Sequence, residues 1–360
     1  MPIFVGKLWS IQELNMIEID GSHGEGGGQL LRMAVALAAI TAQALRVGNV
    51  RAKRSNPGLA PQHLAAVKAV AALCGAEAEG LQVRSQEIVF YPQSLRGGEF
   101  QFDVGTAGSV TLVLQAVLPV ALVCAERVAM RITGGTDVRD SPPLDYFRCV
   151  FLPLLSLMGG RVSLEVARRG YYPRGGGEIR VEVQAGATLR PLVMEARGAL
   201  REVGGIAHTA NLPAHISARM ARAAQQALPP VPAPQIEQQL LAWPQAIGQG
   251  GAMVLWALSE GGVLGAAATA QRAVPAERLG DAAGRALHAE IESGATLDVH
   301  AADQMLVYAA LANGLSRFTA RTLSSHASTT MWLIEHFLPV EFDAAQAGPL
   351  WRVDCRPRLK

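Results

Sequence analysis

One pattern occurs three times along the chain, and this internal repeat constrains the fold more than any other feature. The first copy, "MIEIDGSHGEGGGQLLRMAVALAAITAQALRVGNVRA", begins at Met16, the second, "FQFDVGTAGSVTLVLQAVLPVALVCAERVAMRITGG", at Phe100, and the third, "ATLDVHAADQMLVYAALANGLSRFTAR", at Ala295. Each copy reads as a strand, a polar or glycine-rich turn, an apolar helix and a second strand. A further helix and two strand-like runs follow each copy. The sequence therefore predicts three β-α-β-α-β-β units.

Three such units predict an α/β (α+β) fold in which four-stranded sheets, each with helices on one face, surround a pseudo-threefold axis. Residues 186–290 interrupt the repeat, and their strand and helix patterns predict a small inserted α/β domain. The predicted division assigns residues 16–185 and 291–340 to the repeat domain and 186–290 to the insert. Residues 341–360 form the C-terminal strand and tail of the third repeat. With 360 residues, half of them hydrophobic, the chain is long enough for two cores.

Charge and cysteine usage narrow the class of protein. A net charge of +2 excludes a uniformly basic surface, so a polyanion site must be local. The four cysteines form no CxxC pair and indicate neither a zinc site nor a disulfide framework. The N-terminal "MPIFVGKLWSIQELN" lacks the apolar region of a signal peptide, and the apolar run "SVTLVLQAVLPVALVCA" is too short and broken to span a membrane. A soluble, cytoplasmic protein is predicted, and the oligomeric state stays open.

The turns at equivalent places in the three copies carry polar side chains that a repeated fold would bring together. These side chains are Glu25 and Gln29 in the first copy, Asp103 and Thr106 in the second, and His300, Asp303 and Gln304 in the third. The helix that follows each turn offers unpaired backbone N–H groups, which suit a phosphate. The alternative is that these residues are helix caps and turn formers.

A histidine and a basic segment are further candidates. His326 lies in "SSHASTT", where small hydroxyl residues at the start of the last long helix leave room for a ligand; the alternative is a capping histidine. His63 begins the corresponding helix of the first unit, and could equally lie on the surface. The most basic short segment, "NVRAKRSNPGLAPQHL", contains Arg51, Arg54 and Gln62. It is either a solvated loop or the rim of a phosphate site.

One motif is specific enough to indicate a family. The stretch "RGYYPRGGGEI", from Arg169 to Ile179, resembles the signature R-G-x-x-P-x-G-G-G-x-[aliphatic] of the RNA 3'-terminal phosphate cyclases. "DGSHGEGGGQLLR", "PGLAPQHL", "GTAGSVTLVLQ", "ADQ" and "SSHASTT" resemble other motifs of that family, in the same order. The resemblance covers the chain from Met16 to Val340 and includes the family's triple repeat with an insert before the third copy.

The resemblance implies an enzyme that converts an RNA 3'-phosphate end into a 2',3'-cyclic phosphodiester. It would use ATP and a divalent metal, Mg²⁺ or Mn²⁺, and release AMP and pyrophosphate. His326 aligns with the histidine that becomes adenylylated, and Glu25 with the carboxylate that meets the metal and the ATP phosphates. The positions that align with the nucleotide-binding region are Gln115, His300, Ala301, Ala302, Asp303 and Gln304. Those that align with polar residues near the phosphates are Arg32, Arg51, Arg54 and Gln62.

The residue types suit this chemistry. A neutral imidazole can attack the α-phosphorus of ATP and pass AMP to the RNA 3'-phosphate. The neighbouring 2'-OH then closes the ring in an intramolecular step. A glycine turn lets the backbone approach the triphosphate, and a carboxylate such as Glu25 can hold the cation that offsets its charge, in place of a Walker lysine.

Two departures and two alternatives stay open. His300 stands where the bacterial enzymes commonly have tyrosine, and an aromatic residue usual in the insert is missing from "GAAATAQRAVPAE", so nucleotide preference is undecided. One alternative is a non-catalytic relative that works in ribosome assembly; such proteins lack the nucleophilic histidine. The other is a small-molecule enzyme, because enolpyruvyl transferases share this kind of repeated unit.

Overall fold

The computed structural model describes residues 16–186, 188–230 and 233–358. The N-terminal segment that argued against a signal peptide lies outside these residues, as do the last two residues of the predicted C-terminal tail. The described part has a mixed α/β fold with four sheets. No helix in it is long and apolar enough to cross a membrane.

The first unit has the predicted element order. It consists of β1 (Ile17–Asp20), α1 (Gly28–Thr41), β2 (Leu45–Gly48), α2 (Pro61–Cys74), β3 (Glu77–Glu79) and β4 (Ile88–Tyr91). The strands lie in the order β1-β2-β4-β3, with β1 parallel to β2. Each helix ends at a residue in the left-handed conformation, Ala42 after α1 and Gly75 after α2. The glycine turn connects the end of β1 to the start of α1.

The second unit also follows the predicted order. It consists of β5 (Gly98–Asp103), α3 (Val110–Val123), β6 (Val128–Gly134), α4 (Leu144–Tyr146), a π-helical turn (Phe147–Phe151), α5 (Leu152–Leu157), β7 (Val162–Gly170) and β8 (Gly177–Val183). Its own strands lie in the order β5-β6-β8-β7, which matches the order in the first unit. Ser109 caps α3 by accepting a hydrogen bond from the Leu112 N–H group.

The inserted segment forms a sheet with its own core. Its elements are β9 (Leu200–Ala210), α6 (His215–Ala227), β10 (Gln235–Leu241), β11 (Ala246–Ile247), β12 (Gly250–Ser259), β13 (Val263–Thr269) and α7 (Ala276–Ser293). The sheet order is β10-β9-β12-β13, and Met220, Leu255 and Leu287 belong to a core shared with α6 and α7. The insert is not isolated, because β11 pairs with β7 and extends the sheet of the second unit. Its boundaries at residues 186 and 290 stay a prediction.

The third unit differs from the predicted pattern at its first strand. It consists of α8 (Val299–Leu311), β14 (Ser316–Ala320), α9 (Ser325–Phe337), β15 (Val340–Ala347) and β16 (Leu350–Pro357), with strand order β14-β16-β15. The expected first strand is reduced to one parallel bridge between Leu297 and Ala320. The reason is space, because α7 is capped by Gly294 and α8 starts at Val299, which leaves only a short segment between them.

The helices of the three units pack against one another in a shared interior. Helix α1 contacts α2, α3 and α9, while α8 contacts α3 and α9. Leu37, Leu114 and Leu306, one from each unit, belong to the same hydrophobic core. Burial of these apolar faces is the main stabilising contribution expected for such an arrangement. The threefold axis itself stays a prediction.

A buried charged cluster joins the insert to the second unit. Arg169, the first residue of the "RGYYPRGGGEI" motif, donates to both carboxylate oxygens of Asp145, at 2.8 and 2.7 Å, and to Asp137 at 3.2 Å. From β9, His208 lies 3.3 Å from Asp145 and 3.6 Å from Asp137. Burial and the Arg169 charge act to lower the pKa of His208, but the two carboxylates outweigh them and raise it. A protonated His208 thus balances the charges of the cluster.

We expect this cluster to make stability depend on pH. A pKa raised above the unfolded value gives His208 a stabilising contribution that is full below its ordinary pKa and is lost as pH rises through the folded value. The difference in free energy of unfolding between wild type and His208→Gln should therefore be largest below pH 6.5 and shrink as the pH rises above it, measured by urea unfolding. A constant difference would show that His208 is neutral when folded. The same substitution at exposed His215 is the control.

Candidate active site between the first and third units

The glycine turn of the first unit docks on helix α9 of the third. The His23 ring stacks on Trp332 with 3.7 Å between centroids. Gly24 has a φ of +58° and lies so close to Thr329 that a Cβ atom would collide with the Thr329 hydroxyl. Only glycine combines this backbone conformation with so close an approach. The turn therefore brings its next residue, Glu25, to the start of α9.

Glu25 lies at the centre of this junction. Its Oε1 accepts a hydrogen bond from the Ser325 hydroxyl at 3.0 Å. Its Oε2 lies 3.1 Å from Nε2 of His326 and 3.3 Å from a guanidinium nitrogen of Arg54. The side chains of Glu25 and His326 are 35 % and 42 % exposed, so a ligand can reach both. Two residues predicted to act together are thus in contact, although they are far apart in sequence.

The N-terminus of α9 is capped by a hydroxyl that also contacts α8. Ser324 accepts from the Ala327 N–H at 3.0 Å and donates its own hydroxyl to Asp303 Oδ2 at 2.7 Å. The N–H groups of Ser325 and His326, in the first turn of the helix, have no intrahelical acceptor. This end of the helix carries a partial positive charge that favours an anion.

An unpaired cation lies on α1, one helical turn after the glycine turn. Arg32, on α1, is only 7 % exposed and has no hydrogen bond or ion pair with any other described residue. Burial lowers its pKa to about 10, so the guanidinium is still charged at neutral pH. Nearby Arg51 donates to the carbonyls of Asn56 and Gly58. A buried cation without a partner is costly, and its presence favours an anion bound there.

His63 is buried beside these arginines. The alternative that it lies on the surface is therefore wrong. Its Nδ1 accepts a hydrogen bond from the Ala60 N–H at 3.1 Å. Burial, and then the charges of Arg32 and Arg51, lower the pKa of His63 to about 3. The ring is therefore neutral with its proton on Nε2, next to Gly28 at the start of α1. His63 can donate a hydrogen bond to an anion in the same pocket.

The stretch predicted as the third turn is the first turn of helix α8. Asp298 caps the helix by accepting from the N–H groups of His300 and Ala301, each at 3.0 Å, and it also accepts from the Tyr146 hydroxyl at 2.7 Å. The side chains of Ala301 and Ala302 are buried in the core. These two residues therefore present no side-chain surface to a nucleotide, whereas His300 is exposed.

Asp303 and Gln304 follow on the same helix. Burial raises the pKa of Asp303 to about 6; the Ser324 hydrogen bond opposes this shift, and the carboxylate of Glu25 adds to it. Gln304 donates to the His300 carbonyl at 3.3 Å, and its Oε1 is buried without a partner among the described residues. Asp303 thus joins the junction through Ser324, and Gln304 retains a free acceptor.

The second turn has a different neighbour. Asp103 and Thr106 accept hydrogen bonds from backbone N–H groups of their own turn, at 2.9 and 3.1 Å, so both are turn formers. Gly108 lies against Gln62 at the start of α2, where an added Cβ would be 3.0 Å from the Gln62 Cβ. Gln115 is half-buried on α3, and no hydrogen bond links it to another described residue.

The sequence pattern did not reveal the partners that hold this site. His23, Trp332, Thr329 and Ser324 were not predicted as site residues, although all but Trp332 lie inside motifs that were. Each acts through a residue far away in the chain, which no local pattern can identify. The clustering of unusual polar residues in the two motifs was the only available signal.

We expect Asp303 to reduce stability at neutral pH. Its folded pKa of about 6 exceeds its ordinary value, so its contribution is most favourable at low pH and is lost as pH rises through about 6. Asp303→Asn, which can still accept from Ser324, should raise the free energy of unfolding by about 1–2 kcal/mol above neutral pH and by little near pH ~4. Urea unfolding at both pH values tests this, with exposed Asp343→Asn as control. An equal gain at both would contradict it.

Comparisons with known proteins agree with this geometry. A family profile described as RNA 3'-terminal phosphate cyclase matches residues 23–344, which include Glu25 and His326. The protein of that name from Nitrosospira multiformis is 60% identical over 96% of this chain and 98% of its own. Those from Ignicoccus hospitalis and Methanopyrus kandleri are 44% and 43% identical, over 93% and 96% of this chain and 96% and 99% of theirs. The chain belongs to the RNA 3'-terminal phosphate cyclase family.

Proposed function

We propose that the protein is an ATP-dependent RNA 3'-terminal phosphate cyclase that acts through a covalent histidine–AMP intermediate and an RNA-adenylate. The observation that carries this proposal is the contact of His326 Nε2 with Glu25 Oε2, at 3.1 Å, at the exposed N-terminus of α9. A nucleophile, a carboxylate and a helix end that favours anions meet there, and the unpaired Arg32 lies on α1, one helical turn after the glycine turn. The family membership supports the same reaction.

The carboxylates fit a divalent cation held mainly by substrate. In the described part of the chain, no group of three or more His, Cys, Asp or Glu side chains could hold a metal ion without other ligands. Mg²⁺ is commonly bound by one or two carboxylates together with phosphates and water. Glu25, with both oxygens at an accessible junction, suits that role for Mg²⁺ or Mn²⁺. The cation would offset the negative charge of the triphosphate.

The first step requires a neutral His326 with a lone pair on Nε2. Glu25 Oε2 lies 3.1 Å from that nitrogen, and with the ring proton on Nδ1 the Nε2 lone pair is available for attack. A bond from Nε2 to the α-phosphorus of ATP forms as the bond to the pyrophosphate oxygen breaks. The N-terminus of α9 and the guanidinium of Arg54 face the developing charge on the phosphate.

The later steps take place on RNA. We assign the RNA 3'-phosphate to the pocket formed by Arg32, Arg51, Arg54 and Gln62, where positive charge exceeds negative charge. A phosphate oxygen attacks the phosphorus of the bound AMP and regenerates the imidazole of His326. The RNA 2'-OH then attacks the activated 3'-phosphorus, AMP leaves, and the 2',3'-cyclic phosphodiester forms. Since the 2'-OH is already next to the phosphate, proximity supplies much of the acceleration.

Nucleotide recognition is assigned to the start of α8. His300 is exposed and lies edge-on to Tyr146, with 6.4 Å between ring centroids, so it offers an aromatic face where bacterial relatives commonly have tyrosine. Gln304 supplies an unpaired acceptor, while Ala301 and Ala302 support the helix from the core. RNA 3'-phosphate ends as the substrate and a cytoplasmic location belong to the same proposal. A ribosome-assembly relative is disfavoured, because His326 is present and held by Glu25.

We expect His326→Asn to abolish protein–AMP formation, because asparagine keeps a polar group but has no nucleophilic ring nitrogen. Protein, metal and ATP labelled at the α-phosphate are mixed, and acid-labile label on the chain is measured. His63→Ala and His336→Ala should retain the label.

The same variant separates the two halves of the reaction. His326→Asn should still convert an RNA whose 3'-end has been adenylylated chemically, since ring closure needs orientation and the 2'-OH only. Covalent AMP that survives in His326→Asn, or label found on His63, would contradict the assignment.

We also expect Glu25→Ala to fold normally and to lose metal-dependent adenylylation by about 100-fold, the size of effect typical for one lost electrostatic contact at a reacting phosphate. The rate of label incorporation is measured at limiting metal. Glu18→Ala removes an exposed carboxylate from β1 of the same unit and is the matched control. A wild-type rate in Glu25→Ala would remove Glu25 from the metal site.

A further inference from the structure

The loop between β7 and β8 exposes an aromatic side chain that the proposed reaction does not use. Tyr172 is 80 % exposed, more than any other large hydrophobic side chain in the described part of the chain. Its neighbour Tyr171 is only 3 % exposed. Single exposed hydrophobic residues are common. The surroundings of the Tyr172 ring therefore decide whether its exposure indicates a binding site.

The loop that carries Tyr172 is held in one conformation. The Gly175 N–H donates to the Tyr171 carbonyl at 2.8 Å, and Arg168 Nε donates to the Gly176 carbonyl at 2.9 Å. Gly175 and Gly176 both have positive φ, +64° and +73°, which other residues rarely adopt. A ring presented on such a loop loses little freedom when it binds a ligand.

This loop packs against the second turn, which leads to the phosphate pocket. An added Cβ on Gly175 would lie 2.6 Å from the carbonyl oxygen of Thr106, so the two backbones are in contact. In the same turn, Gly108 lies against Gln62. Gln62 precedes His63, which lies beside Arg32. Contacts therefore run without interruption from the Tyr172 loop to the pocket assigned to the RNA 3'-phosphate.

The basic residue next to the ring, together with those that border the glycine turn, favours a polyanion. Arg174, two residues after Tyr172, is exposed and makes no ion pair with any other described residue. Lys53 and Arg54 lie on the segment that borders the glycine turn, where Lys53 donates to the Gly24 carbonyl at 3.1 Å. Each nucleotide of single-stranded RNA carries a base that can stack and a negatively charged phosphate. Proteins therefore bind such RNA with aromatic rings next to basic side chains.

We propose that Tyr172 is a stacking platform for a nucleobase upstream of the RNA 3'-end, with Arg174 contacting an adjacent phosphate. This inference rests on the proposed function, since a 3'-phosphate in the Arg32 pocket sets the direction in which the RNA leaves. Every base has a face that can stack, so the subsite accepts RNA ends of different sequence.

The test compares three variants on single-stranded RNA oligonucleotides with a 3'-phosphate. Tyr172→Ala should raise the KM for cyclisation by about tenfold, the effect of losing one stacked base, with kcat little changed. Tyr172→Trp should keep a KM near that of wild type. Trp243→Ala, which removes another strongly exposed aromatic ring, should have no effect. All three should form protein–AMP at the wild-type rate, because that step needs no RNA.

Oligonucleotides with a single abasic residue at successive positions locate the stacked base. For the RNA that lacks that base, wild type and Tyr172→Ala should have the same KM. The inference is overturned if Tyr172→Ala leaves the KM unchanged, if its defect is equal for every abasic RNA, or if Trp243→Ala is equally defective. Fluorescence anisotropy with the same RNAs measures binding without catalysis. A wild-type protein that binds RNA through Tyr172 but forms no cyclic end would refute the proposed function and not this subsite.

Discussion

The contact between the first glycine turn and the N-terminus of α9 is the interaction on which the site depends. It joins segments about three hundred residues apart, and it exists only because α1 and α9 pack in the same core. The stack of His23 on Trp332 fixes the turn, and the close approach at Gly24 requires a residue without a Cβ atom. Contact between Glu25 and His326 follows from that docking. Neither residue acquires its environment from its own segment.

The turn of the second unit and the helix start of the third also contact a neighbouring helix, but the residues at these two junctions differ from those at the first. The second turn meets the start of α2 through Gly108 and Gln62, and the start of α8 meets the second unit through the hydrogen bond of Tyr146 to Asp298. The first junction holds the proposed nucleophile and a carboxylate, the second lies beside the arginine cluster, and the third is a buried cap. Repetition has thus produced one reactive junction and two supporting ones. The unpaired Arg32 and the raised pKa of Asp303 lower the stability of the free protein at the proposed site.

Sequence predicted the elements better than the contacts between them. Hydrophobic periodicity and turn residues located the elements of the first two units, because these signals are local. The first strand predicted for the third unit is not formed, since nothing in "ATLDV" shows that Asp298 will cap a helix. Family resemblance indicated His326 and Glu25, whereas their partners Trp332 and Ser324 depend on long-range packing. His63 and Ala301 are buried because their helix faces point to the core. The sequence did not predict this, since both residues lie in the first turn of a helix, where too few residues show which face is apolar.

The placement of Glu25 and His326 at opposite ends of the repeat has a consequence for the order in which the protein is made. A ribosome releases Glu25, the glycine turn and the arginine cluster early, and the proposed nucleophile only after most of the chain has been synthesised. Until α9 emerges, the face of α1 that it covers is open, and the turn has no partner to hold it. A nascent chain can therefore complete two units, with their sheets and helices, and still lack the residue proposed to react with ATP. The proposed site is complete only when α9, the last long helix, packs against α1 and so closes the core.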